Sequence, residues 1–235
     1  MHFFSPRRAT HVGLAALALM LAANGQPASA GAAPAAPNRA VYVALGASDT
    51  VGIGATNPTR DNWTAQLARR LPAGSRYVNL GRSGATLENA LATELPAALK
   101  ARPTLVTVWL AVNDINALVA PDDYDAQLNR LLTALQRARA RVYVGNVPDL
   151  TLVPAYQNSG YVSASDVNQI VHMYNKVIAA ECARHGATLV DLYAASRPVL
   201  HNLKNVGRDG FHPSTRGYTL LANLFYRVMH RQGAI

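Results

Sequence analysis

Five short apolar runs recur along this chain, with helical stretches between them. They are VYVALG from Val41, RYVNLG from Arg76, TLVTVWLAVND from Thr104, RVYVGNV from Arg141 and ATLVDLY from Ala187. Nearly unbroken apolar runs are what strands buried on both faces require. The intervening stretches carry helical spacing, clearest in DDYDAQLNRLLTALQRARA, where Leu128, Leu131, Leu132 and Leu135 fall on one face. Asp61, Ser165 and Ser214 are the expected N-caps of three helices, and Gly186 is the expected stop of the second. Such alternation predicts an α/β fold, a three-layer α/β/α sandwich with a parallel five-stranded sheet. Right-handed crossovers leave few orders open, and the flavodoxin-like order 2-1-3-4-5 is the expected one.

The first forty residues read differently. Arg7 and Arg8 precede the apolar run VGLAALALMLAA, and Ala28-Ser29-Ala30 is a small-x-small cleavage pattern. This is the layout of a secretory signal over 1–30, and the run is short for a membrane span of roughly 20 residues. The Arg pair hints at twin-arginine export, but SPRRATHV lacks apolar residues directly after the pair. Residues 31–39 read as a linker and 40–235 as one domain. A secreted, periplasmic or envelope location follows, with no stable membrane span.

Removing 1–30 takes away two Arg and no acid, so the formal charge falls from +9 to +7. The basic residues are scattered, as in ARRLPAGSR and QRARAR. That pattern fits a solvated surface rather than a nucleic-acid footprint. Cys182 is the one cysteine, which excludes an intrachain disulfide, and its helical surroundings predict a buried structural thiol. No clustered metal-ligand spacing and no phosphate-loop motif is present, so no metal or organic cofactor is expected. A monomer is expected.

In a sheet of this kind, sites form at the C-terminal strand ends. The first run ends in ALGASDTVGIGA, where Gly46 allows a tight turn, Ser48 follows, and Gly52 and Gly54 permit close approach. The second ends in VNLGRSGAT, where Gly84 could offer a bare backbone N–H. The third ends in WLAVNDIN, where Asn113 could aim its side-chain amide at the same point or merely cap a helix. Near the C-terminus, DGFHP places Asp209 three residues before His212, and Pro213 stiffens the chain before a helix. Five His remain after the leader: His172, His185, His201, His212 and His230. Only His212 has an acid at this offset followed by a stop, while His172 and His230 fall in helices.

These four blocks, in this order, resemble the SGNH or GDSL-type hydrolases, from Val41 to the last helix. The resemblance implies an exported ester hydrolase (an esterase or lipase). Its nucleophile would be Ser48, its base His212 and its orienting acid Asp209. The oxyanion hole would be Ser48 N–H, Gly84 N–H and the Asn113 side chain. The substrate would be a small-molecule, lipid or glycan ester. An acyltransferase using the same residues and a non-catalytic envelope or glycan-binding module are the alternatives. Two motifs depart from the family pattern, at three positions. Gly-Asp-Ser-Leu is here Gly46-Ala47-Ser48-Asp49, and Gly-x-Asn-Asp is Ala111-Val112-Asn113-Asp114. The requirement for Ser, imidazole and carboxylate is also chemical: a hydroxyl needs a base, and the base needs an oriented, charge-stabilised ring. The apolar segment over 147–165, with Tyr156 and Tyr161, could line an acyl pocket or serve as a structural arm.

Overall fold

The computed structural model describes residues 39–158 and 163–235. The expected leader, most of the linker and Tyr161 lie outside the described residues. Five strands, β1 (Val41–Gly46), β2 (Arg76–Asn79), β3 (Leu105–Trp109), β4 (Arg141–Gly145) and β5 (Thr188–Val190), form one parallel sheet in the order β2-β1-β3-β4-β5. The register pairs Gly46 with Trp109, which brings the ends of the two central strands level.

Helices fill every crossover. Between β1 and β2 lie α1 (Ser48–Val51), α2 (Pro58–Asp61) and α3 (Trp63–Ala68). Between β2 and β3, α4 (Leu87–Asn89) runs through a π-helical turn, Ala90–Glu94, into α5 (Leu95–Lys100). Then α6 (Val112–Asn116) and α7 (Pro121–Arg137) precede β4, and α8 (Pro154–Gln157) and α9 (Ala164–His185) precede β5. The chain closes with α10 (Leu192–Leu200) and α11 (Thr215–Arg231). Period-2 alternation divides the strands between two cores. Val43, Leu45, Val106 and Val108 pack with α7 and α9 on one face. Tyr42, Ala44, Leu105 and Trp109 pack with α3 and α11 on the other, against Trp63 and Phe225. Thr107 is the polar residue on that second face, and its hydroxyl pairs with the Tyr42 hydroxyl at 2.9 Å, as burial demands.

Several local expectations are corrected. β2 is not buried on both faces: Arg76 and Asn79 are exposed and the two residues between them half-buried, because β2 is an edge strand. The third run is shorter than its apolar length, since the chain turns at Ala111 into α6. The fifth run stops at Val190, where the Asp191 side chain caps α10. Asp61 is not the N-cap of α3. Asn62 is, accepting the Ala65 amide at 2.7 Å while Asp61 ends α2. Likewise Ser163, not Ser165, caps α9, accepting from the Asp166 amide at 3.1 Å. Gly186 ends α9 at φ +64°, and Ser214 caps α11, both as expected. Cys182 is buried. Among the described residues, no helix is long and apolar enough to cross a membrane.

Candidate active site

β1 delivers Ser48 to the C-terminal edge of the sheet at the start of α1, with the residue only 6% exposed. The loop before α11 comes to meet it. His212 Nε2 lies 2.8 Å from Ser48 Oγ, across 164 residues of sequence. His212 Nδ1 lies 2.6 Å from Asp209 Oδ2. An ionised carboxylate only accepts hydrogen bonds, so Nδ1 carries the proton and Nε2 is left to accept from the Ser48 hydroxyl. The other Asp209 oxygen accepts the Phe211 and His212 amides at 2.9 and 3.0 Å. One carboxylate therefore shapes the loop and orients the ring. Burial raises the Asp209 pKa, but the His212 ring and the two amides outweigh it and hold the carboxyl below its usual range.

The loop is fixed from several sides. Gly207 donates to the His212 carbonyl at 2.7 Å, and Val206 bridges Pro213. The Phe211 ring stands edge-on to the imidazole at 4.8 Å. Tyr156 packs on Phe211, and its hydroxyl donates to Asn116 Oδ1 at 2.7 Å, tying the loop to α6. Gly54, at φ +92°, is required for this approach: a Cβ there would meet the Pro213 carbonyl oxygen at 2.6 Å.

Asn113 and Gly84 enter from the neighbouring strand ends. Asn113 Nδ2 donates to the Ala85 carbonyl at 2.9 Å, and Asp114 Oδ1 accepts the Leu87 amide at 2.9 Å. Gly84 directly precedes Ala85 in the chain, and its φ of +77° is a glycine conformation. Asn113 is not the cap of α6, since that position falls on Ala111, without a side-chain cap. Asn113 and Ser48 line one small recess.

Ala111 has φ +116° and is buried. Left-handed backbone of this kind costs a residue with a Cβ about 1–3 kcal/mol. The position is the one where the family pattern has Gly. Ala111→Gly should therefore raise the unfolding free energy by about 1 kcal/mol, read from denaturant melts. A loss of stability would show that the Ala111 methyl contributes more packing than the strain costs.

Sequence reasoning missed Glu94. It is 1% exposed, and its Oε2 accepts the Gly46 amide at 2.9 Å, bracing the turn that presents Ser48. A signal was present: Leu87, Ala90, Leu91, Glu94, Leu95 and Ala98 share helical spacing, which puts an acid within an apolar stripe. Burial pushes the Glu94 carboxyl up from 4.5 to about 7, against the Gly46 amide and the Arg82 charge. Between those pH values the unfolded chain releases this proton first, so the folded state holds more protons. Stability should then fall by up to roughly 3 kcal/mol as pH rises from 4.5 to 7. Glu94→Gln keeps an acceptor for Gly46 and removes that titration. Its unfolding free energy should vary less over this window, and an undiminished slope would assign the pH dependence elsewhere. Asp49, next to Ser48, is also pushed up to about 6 by burial, which outweighs the opposing influence of nearby His212.

An apolar groove of about 190 Å³ opens beside His212. Pro148, Leu150 and Val153, from the segment after β4, line it, and Leu150 and Val153 are also buried in the core.

A model of the GDSL-like lipase/acylhydrolase family matches residues 44–220. No curated protein matches the chain in sequence. Among solved structures, TesA superposes with TM-score 0.63 at 22% identity, covering 81% of this chain and 98% of its own. A variant of Axe2, an acetyl-xylooligosaccharide esterase from Geobacillus stearothermophilus, gives 0.65 at 20% identity, covering 82% and 94%. The psychrotrophic esterase EstA from Pseudoalteromonas sp. gives 0.63 at 18%, covering 81% and 97%. At these identities the likeness is one of fold. The family match spans more than half of the sequence, and the chain belongs to the GDSL-like lipase/acylhydrolase family.

Proposed function

We propose that this chain is an exported serine hydrolase of carboxylic esters that works through an acyl-Ser48 intermediate. The observation that carries this reading is the unbroken relay from Asp209 through His212 to Ser48, at 2.6 and 2.8 Å. His212 Nε2 takes the Ser48 proton as Oγ attacks the ester carbonyl. Asp209 stabilises the resulting imidazolium through Nδ1. The Ser48 and Gly84 backbone N–H groups and the Asn113 amide receive the oxyanion. His212 then protonates the leaving alcohol, and a water activated by the same ring releases the acid. The intact relay favours the enzyme over a binding module. A panel of acyl esters of graded size tests the reading. Hydrolysis of at least one, lost in Ser48→Ala, is expected; a folded protein inert on all of them would contradict it.

Asn113→Ala should lower kcat by roughly 10²–10³-fold, with KM changed less, as loss of one oxyanion donor does. An unchanged kcat in the folded variant would leave Asn113 only its bond to Ala85. Export rests on the Arg7–Arg8 pair, the apolar run and Ala28-Ser29-Ala30. Mass spectrometry of the protein from culture medium or periplasm should find an N-terminus near Gly31. Active protein retaining residues 1–30 would refute cleavage.

A further inference from the structure

The site has two unequal compartments with a common wall. The recess bounded by Ser48, Leu110, Ala111 and Asn113 has only about 10 Å³ of free space. The apolar groove has about 190 Å³. Asp49, Trp109, Val112 and Phe211 line both, so the two lie side by side. His212 walls the groove, whereas Ser48 and Asn113 do not. From His212 the groove runs between α10 and α11, past Val199 on one side and Gly217, Leu221 and Leu224 on the other. Gly217 to Leu224 is two turns of helix, about 10 Å of length. An apolar cavity of about 150 Å³ holds a benzene ring, so this groove takes a linear group of about six to eight carbons.

Chemistry decides which half of an ester goes where. The acyl carbon bonds to Ser48 Oγ with its oxygen turned toward Asn113. The leaving oxygen must come within hydrogen-bond reach of His212 Nε2, because that nitrogen delivers its proton. The alcohol therefore leaves through the compartment that His212 walls, and the acyl group stays in the small recess. We infer that the groove between α10 and α11 is the leaving-group subsite, and that the preferred substrates are short-acyl esters, acetyl in size, of apolar alcohols. The inference rests on the roles given above to Ser48 and His212. In the step itself the Oγ–acyl bond forms and the acyl–alkoxy bond breaks. The Ser48 proton passes through Nε2 to the alcohol, and water then yields the short acid and free Ser48.

Two isomeric esters test this without a difference in composition: hexyl acetate and ethyl hexanoate. The wild-type kcat/KM should be at least about tenfold higher for hexyl acetate. It should also exceed that for ethyl acetate, by up to about a hundredfold if the groove buries all four extra methylenes. Leu224→Phe narrows the groove and should cut the hexyl acetate to ethyl acetate ratio severalfold; general damage would lower both rates together. Equal or faster hydrolysis of ethyl hexanoate would overturn the subsite assignment while leaving the ester-hydrolase reading intact. No Ser48-dependent hydrolysis of any of the three would count against both.

Discussion

Ser48→Ala and His212→Ala should each lower kcat by at least about 10⁴-fold, and the double variant should lose little more. Residues that act as one unit show this non-additivity, because removing either already abolishes the attack. The basis is the 2.8 Å contact between Ser48 Oγ and His212 Nε2, which brings a nucleophile and its base together from positions 164 residues apart. Ser48→Ala removes one oxygen from a buried position and should leave the fold intact. Its melting curve should match the wild type while activity is gone. Losses that multiply in the double variant would mean that the two side chains work separately, and the triad assignment would be wrong.

Asp209→Asn should come next in size, at roughly 10³–10⁴-fold in kcat. The Asn side-chain oxygen can still accept the Phe211 and His212 amides, so the loop retains its shape. Its NH₂ then faces Nδ1, where the carboxylate now accepts the Nδ1–H hydrogen bond at an N···O distance of 2.6 Å. A donor at that point favours the tautomer with the proton on Nε2, the nitrogen that must be bare to receive the Ser48 proton. The variant also loses the charge that stabilises the imidazolium. Asp209→Ala should add a loss of stability, because two loop amides lose their acceptor. If Asp209→Asn were as active as wild type, Asp209 would be a loop-shaping residue only.

Much of this architecture was legible because the physics is local. Parallel strands buried on both faces demand continuous apolar runs, so β1, β3 and β4 stood out, and the order of the sheet followed from handedness. Edge strands escape that rule: β2 is half-open to solvent, and β5 is three residues long because Asp191 starts the next helix. Helix caps erred by one or two residues where two candidates were adjacent, Asp61 beside Asn62 and Ser163 near Ser165. The carboxamide of Asn62 and the hydroxyl of Ser163 won through geometry that no pattern encodes. Ser48, Asp209 and His212 were legible because four blocks together resemble one family, and only His212 has an acid three residues before it and a stop after it. Glu94 was not, since its role depends on a single buried bond to Gly46, formed between segments 48 residues apart. Nor could the groove be foreseen. It is built from α10, α11 and the segment after β4, which meet only in three dimensions.

If Ser48 is an activated nucleophile, covalent labelling will report it. A fluorophosphonate probe should add one phosphonyl group per chain, with peptide mass spectrometry placing it on Ser48. His212→Ala, which keeps the hydroxyl and removes its base, should label at least tenfold more slowly, and Ser48→Ala should not label. A phosphonyl group found on another residue, or wild type and His212→Ala labelling at the same rate, would contradict the account.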